Sequence, residues 1–161
     1  MKQALIFSDS HGRIDKAIDI IHQYPKVEAV FHCGDIGGDD DILRCATPHA
    51  VAIVRGNCDY SSTLPPEIVT TFSGKKIAMC HGHRYLMYGG IDQLKYWAME
   101  KEADIVLFGH THVPFVEQSS TLTVINPGSI SRPRQEGHRK SYAVLEIDDN
   151  GEITVDIRYV K

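Results

Sequence analysis

Five short clusters carry the side chains best suited to chemistry. They are Asp9-Ser10-His11-Gly12, Gly34-Asp35, Gly56-Asn57-Cys58-Asp59, His81-Gly82-His83 and Gly109-His110-Thr111-His112. Each joins an oxygen or imidazole donor to a glycine, which lets the backbone turn sharply and approach a ligand closely. Asp9 and His11, two positions apart, can converge on one cation when their loop curls. His110 and His112 can do the same, or can reach two adjacent cations. Carboxylate, amide oxygen and imidazole suit divalent first-row metals. No cysteines are paired as CxxC, which argues against a structural zinc site. Seven donors, Asp9, His11, Asp35, Asn57, His81, His110 and His112, are too many for one ion and fit two ions that share a ligand. Two cations about 3.5–4 Å apart serve phosphate chemistry, because they lower the pKa of a water to about 7 and neutralise phosphate oxygens.

The elements that must hold these clusters follow from the apolar pattern. Residues 3–8 form a buried run that ends in the first cluster. Ile14, Ala17, Ile18 and Ile21 recur at helical spacing, which predicts a helix over 13–23. Strands follow at 28–33 and 50–54, with a short helix over 39–46 between them. This strand–helix alternation predicts a parallel sheet. Residues 67–73 and 76–80 read as a hairpin turning at Gly74-Lys75. A helix over 91–102 and a strand at 104–108 come next. The rest is mostly β, at 115–118, 121–125, 141–147 and 153–160, the last two joined at Asp148-Asp149-Asn150-Gly151. The expectation is an α/β protein: one domain over 1–161 with two packed sheets, one built from βαβ units and one mostly antiparallel, flanked by helices. Every polar cluster then falls at the carboxyl end of a strand, where such folds bind ligands.

Bulk properties exclude several classes. The net charge of −4 and the charged share of 24% favour neither nucleic acid nor an anionic membrane surface. No apolar run reaches the roughly 18 residues of a membrane span. The N-terminus has no small-residue cleavage site, so no signal peptide is expected. Four cysteines without a paired spacing read as reduced thiols in a cytoplasmic protein.

Taken in order, DSHG, GD, GNCD, HGH and GHTH resemble the calcineurin-like metallophosphoesterase superfamily. NPGS at 126–129, followed by Arg132, is similar to its small YfcE-type phosphodiesterase branch. The resemblance spans residues 9 to about 134 and implies a two-sheet β-sandwich. It implies that Asp9, His11 and His112 hold one metal, that Asn57, His81 and His110 hold the other, and that Asp35 bridges them. The expected cofactors are two divalent ions, manganese first, with nickel, iron, zinc or magnesium as substitutes. The implied reaction is attack on phosphorus by a hydroxide shared between the metals, with Asn57, His81 and Cys58 beside the chemistry.

The wider superfamily usually has a histidine where this chain has Cys58. A thiol, with an unperturbed pKa of about 8.5, is the poorer proton donor to a leaving group. Diesters with good leaving groups are therefore the expected substrates, with alkyl monoesters slow. Two rivals share the fold: a protein-interaction scaffold, as in a eukaryotic retromer subunit, and a nuclease or phosphomonoesterase with the same centre. The scaffold is disfavoured by the complete ligand set, and a nuclease for long nucleic acid by the lack of a basic stripe. With little room for a cap, the cleft is expected to be open, and a homodimer is plausible.

Other residues have ordinary readings. His83 reads as a pocket neighbour rather than a ligand, and His32 as structural. Cys33 and Cys80 end apolar strands and read as core. Asn126-Pro127-Gly128-Ser129 reads as a turn whose backbone could approach the metals. Arg132 and Arg134 belong to a basic loop that could steer phosphate. The run Arg84–Gly90 either walls the cleft or packs as an ordinary loop.

Overall fold

A computed structural model describes all of residues 1–161. The first sheet has the order β10-β9-β1-β2-β3, built from β1 (Lys2–Phe7), β2 (Ala29–His32), β3 (Ala50–Ile53), β9 (Ser141–Ile147) and β10 (Ile153–Tyr159). β1, β2 and β3 run parallel, with Ala4 opposite Ala29 and Ala29 opposite Ala50, while β9 lies antiparallel on β1. The helices α1 (Asp15–His22) and α2 (Asp40–Cys45) connect the parallel strands.

The second sheet has the order β4-β5-β6-β8-β7, from β4 (Glu67–Phe72), β5 (Lys75–Cys80), β6 (Ile105–Leu107), β7 (Pro114–Gln118) and β8 (Thr123–Pro127). It is mixed rather than mostly antiparallel. β5, β6 and β8 run parallel, and only β4 and β7 are antiparallel to their neighbours. The cause is α3 (Asp92–Glu100), which returns the chain so that β6 starts at the same end as β5. β7 then forms the outer member of a hairpin, leaving β8 to pair with β6.

Strand alternation divides the core into three layers. Ala4, Ile6 and Phe31 of the first sheet meet Ile77, Met79, Leu107 and Ile125 of the second. Leu5, Phe7, Val30 and Ile53 point the other way, against Ala17, Ile20 and Ile21 of α1 and Leu43 of α2. Ala78, Val106 and Phe108 receive Leu94, Trp97 and Ala98 of α3. The architecture is thus the expected α/β two-sheet sandwich with outer helices.

Most element ends lie within one or two residues of expectation, and two of the shifts have a local cause or consequence. The hairpin turns at Ser73-Gly74, with Phe72 paired to Lys75. A two-residue turn of this hand needs positive φ at both central positions, and Ser73 (49°) and Gly74 (79°) provide it. β8 starts later and runs through Asn126 and Pro127, so half of NPGS is strand rather than turn.

Candidate metal centre

The parallel strands of both sheets end at one place. β1 delivers Asp9 and His11, β2 delivers Asp35, and β3 leads to Asn57 and Cys58. β5 delivers His81, and β6 leads to His110 and His112. The loops are tightly bent: eight non-glycine residues have positive φ, and five of them are Asp9, His11, Asp35, His110 and His112. Such conformations are unfavourable for side-chain-bearing residues and persist where surrounding bonds enforce them. Here those bonds include Asp9 N–H to Gly34 carbonyl (3.0 Å) and His11 N–H to Asp35 carbonyl (2.8 Å). Two glycines make room. A Cβ on Gly109 would lie 2.0 Å from Ser8 Oγ, and one on Gly56 would lie 2.1 Å from Asp35 Oδ1.

The side chains converge. Asp9 Oδ1 is 3.1 Å from His112 Nε2, 3.6 Å from His11 Nε2 and 3.7 Å from His81 Nε2. Asp35 Oδ2 lies between His81 Nε2 (3.2 Å) and His11 Nε2 (3.7 Å). His11 and His112 present Nε2 to each other at 3.3 Å. On the other side, His110 Nδ1 lies 3.1 Å from Asn57 Oδ1, and the His110 ring meets that of His81 at 5.1 Å. Asp9, Asp35, His81 and His112 form a buried floor. His11 and His110 are half-buried, Asn57 and Cys58 exposed, and these form an open rim. All seven candidate ligands therefore belong to one cluster.

Tautomers show what the cluster is built to hold. His81 Nδ1 is 2.7 Å from the Cys33 carbonyl, and His112 Nδ1 is 2.6 Å from the Arg132 carbonyl. A carbonyl only accepts, so each Nδ1 carries a proton and each Nε2, a lone-pair donor when the ring is neutral, faces inward. Those lone pairs face the oxygens of Asp9 and Asp35. Asp9 Oδ1 and His81 Nε2 are buried without a hydrogen-bond partner. Lone pairs aimed at one another in a buried site are repulsive until a proton or a cation stands between them. The donor set therefore fits metal ions: Asp9, His11 and His112 can share one, and Asp9, Asp35 and His81 can share one.

Burial alone would raise Asp9, but the imidazoles of His11, His112 and His81 and the Ser8 hydroxyl outweigh it and hold the carboxyl well below the usual range. Burial opposes charge on His81, yet Asp35 and Asp9 push its pKa up. Burial and the neighbouring His81 push His110 down, keeping it neutral and able to ligate. Partial burial, with the Asp35 carboxylate, raises the Cys58 thiol.

Several supporting residues are not legible from their type. Asp59 Oδ2 accepts the N–H groups of Asp35 (2.9 Å) and Gly56 (2.8 Å), and its Oδ1 accepts that of Gly37 (3.1 Å). Its only signal is its place beside Cys58. Ser129 and Ser131 both donate to the Asp9 carbonyl, at 2.8 and 2.9 Å. Asn126 donates to the Gly109 carbonyl and to Thr111 Oγ1. NPGS thus acts as a brace behind the ligand loops. His32 is structural: it accepts from Gly34 N–H, lies 2.9 Å from Ser10 Oγ, and burial pushes its pKa down to about 4. His83 stands against the rings of His81 and His110 and reaches neither carboxylate within ion-pair distance. Cys33 and Cys80 are buried free thiols. Within Arg84–Gly90, Tyr85 stacks on Trp97 and donates to Glu67, whereas Met87 and Tyr88 are exposed.

Comparison with known proteins places this geometry. The family model for the calcineurin-like phosphoesterase superfamily domain matches residues 1–150. "Probable metallophosphoesterase YsnB" of Bacillus subtilis is 33% identical over 147 residues, 91% of this chain and 85% of that one. "Phosphodiesterase YfcE" of Escherichia coli K12 is 33% identical over 109 residues, 62% of this chain and 54% of that one. A solved structure of a predicted phosphoesterase from Streptococcus pneumoniae TIGR4 superposes with a TM-score of 0.81 at 32% identity, covering 99% of this chain and 98% of that one. Vps29 of Entamoeba histolytica, solved with zinc, shares the fold with a TM-score of 0.78 at 22% identity, covering 98% of each chain.

Proposed function

The chain belongs to the calcineurin-like phosphoesterase superfamily, and from that premise we propose that it is a metal-dependent phosphodiesterase acting on a small diester. One observation carries the reading. Two histidines, locked by backbone carbonyls, turn lone pairs toward two buried carboxylates, and Asp9 Oδ1 and His81 Nε2 lack partners. That arrangement needs positive charge, and it supports Asp9, His11 and His112 as one ligand group and Asn57, His81 and His110 as the other. Asp35 Oδ2, between His11 and His81, is the group placed to serve both. Two divalent ions bound there, manganese foremost, would acidify a water and offset charge on the phosphate oxygens.

The protein's own groups do the rest. The floor of Asp9, Asp35, His81 and His112 is closed to solvent, so an ester approaches across the rim of His11, Asn57, Cys58 and His110. Ser8 (2.5 Å) and the His110 N–H (3.1 Å) occupy Asp9 Oδ2, which leaves Oδ1 directed into the centre. Cys58 gives its N–H to Asp35 Oδ1 at 2.8 Å, fixing that carboxylate's rotation. The Cys58 thiol is a weaker proton donor toward a leaving oxygen than an imidazolium would be. Diesters with good leaving groups are then favoured over alkyl monoesters.

The test uses metal-stripped protein, a chromogenic phosphodiester and the matching monoester, with Mn²⁺, Ni²⁺, Zn²⁺ or Mg²⁺ added in turn. The diester is expected to turn over faster than the monoester with at least one ion. Turnover of neither ester with any ion would overturn the enzymatic reading and leave a protein-binding scaffold.

A further inference from the structure

We propose that the groove beside Cys58 is a nucleoside-binding subsite, with Tyr60 as its stacking surface. The identity of the bound group as one arm of the diester rests on the phosphodiesterase reading; the groove itself does not. It has a volume of about 500 Å³ and borders the candidate centre through Cys58, which lines it and whose N–H bonds Asp35 Oδ1. That volume is within the range of about 300–1,000 Å³ typical of small-molecule sites.

Its walls are held in place. Gly37 and Gly38 form one side, and Gly37 N–H is tied to Asp59 Oδ1 at 3.1 Å. A Cβ on Gly38 would meet nothing within 4 Å, so a flat group can approach this backbone. Tyr60 also lines the groove and is 88% exposed. Its turn is clamped before and after the ring: Asp59 N–H bonds the Gly56 carbonyl and Ser62 N–H bonds the Asp59 carbonyl, each at 3.2 Å. Leu64 then anchors the segment in the core. A large aromatic face on a fixed turn beside a reactive centre offers stacking at little entropic cost, since few torsions must be frozen.

The lining selects the class of ligand. It contains the hydroxyl residues Ser61, Ser62 and Thr63, the carboxylate of Asp40, and no lysine or arginine. A second phosphate would find no counter-charge and two carboxylates, Asp40 and Asp59. A lipid tail would meet the hydroxyls of Ser61, Ser62 and Thr63 and the Asp40 carboxylate. An uncharged, planar, hydroxyl-bearing group satisfies both walls and floor: a base against Tyr60, and a sugar whose hydroxyls reach Asp40 and the serine and threonine hydroxyls. Base-on-aromatic stacking tolerates any base, so the subsite is expected to prefer nucleosides as a class.

The probe is adenosine, titrated into the ¹⁵N-labelled full chain kept in Zn²⁺, with ribose as the comparison. Adenosine is expected to shift the amides of Gly37, Gly38, Tyr60 and Thr63 saturably, and ribose is not. Tyr60→Ala should weaken adenosine roughly 10-fold, the scale of one lost stacking contact, and Tyr60→Phe should restore it. Adenosine should also inhibit hydrolysis of bis-p-nitrophenyl phosphate competitively, with its inhibition constant raised in Tyr60→Ala. Shifts that bypass the groove, or equal affinity in Tyr60→Ala, would overturn the subsite. A chain that binds adenosine in this way but hydrolyses no diester overturns the diesterase reading alone. A chain that hydrolyses diesters with no adenosine binding or inhibition overturns the subsite alone.

Discussion

His81 Nε2 lies 3.2 Å from Asp35 Oδ2, while the other nitrogen of the same ring is committed to the Cys33 carbonyl at 2.7 Å. The ring therefore has one way to satisfy the carboxylate without a metal, which is to take a second proton. Metal and proton compete for the same nitrogen.

That competition sets a pH dependence. In metal-free protein the His81 pKa is raised above its usual value. Its contribution to stability is full below about pH 6.5, the unfolded value, and is lost as pH rises through the folded value. Asp9 and Asp35 are lowered. Their contribution is present above about pH 3.9 and is lost as pH falls through their folded values. The stripped protein should be most stable between these limits. The rise in Tm on adding Mn²⁺ should then grow from pH 5.5 to pH 8, about the span over which the proton leaves. Thermal melts with and without metal measure this; a pH-independent rise would contradict it.

Asp35→Asn keeps an oxygen for the Cys58 N–H and removes the charge between His11 and His81. Metal content by elemental analysis should fall for both ions, and activity should drop beyond the roughly 10–100-fold typical of losing an outer hydrogen-bond partner. His110→Ala should mainly deplete one ion. Two ions and full activity in Asp35→Asn would show that the carboxylate does not bridge.

Cys58 is exposed at the rim, and its thiol is a weaker proton donor than an imidazolium. Cys58→His should raise turnover of esters with poor leaving groups by about 10-fold or more, as expected for a positioned general acid. Good leaving groups should respond much less. A Brønsted plot of rate against leaving-group pKa reads the change as a shallower slope, and an unchanged slope would remove Cys58 from leaving-group chemistry.

Asp59 touches no candidate ligand atom, yet it gathers three backbone N–H groups of the Asp35, Gly37 and Gly56 loops. Asp59→Asn replaces one acceptor oxygen by a donor, leaving at least one N–H unsatisfied at a cost of about 1–3 kcal/mol. Metal affinity should weaken about 10–100-fold, while Asp59→Glu should recover part of it. Calorimetric metal titration separates this from general destabilisation, since a purely structural role would lower Tm and leave the affinity of the folded fraction unchanged.

The candidate ligands were legible because their signal is local. A donor beside a glycine at the end of an apolar run needs no distant partner to be recognised. The sandwich was legible for the same reason, through periods of two and 3.6 residues. The parallel pairing in the second sheet was not, because strand neighbours are chosen by crossover connections and shared core faces. The turn at Ser73-Gly74 escaped by one residue because the φ that decides it is not written in residue type. The role of Asp59 was not legible in its residue type, since it lies in the three N–H groups that face it.

By itself the amino-acid sequence determined the chemistry on offer: seven oxygen and nitrogen donors, the strand ends that carry them, and a thiol where the wider superfamily has an imidazole. Only the tertiary structure decided how those donors act. It brought the Cys33 carbonyl to His81, 48 residues away, and the Arg132 carbonyl to His112, 20 residues away. A carbonyl oxygen cannot donate, so each contact fixes a tautomer and turns a lone pair toward the carboxylates. Every residue contributes such a carbonyl; which one meets which histidine depends on the packing of two sheets.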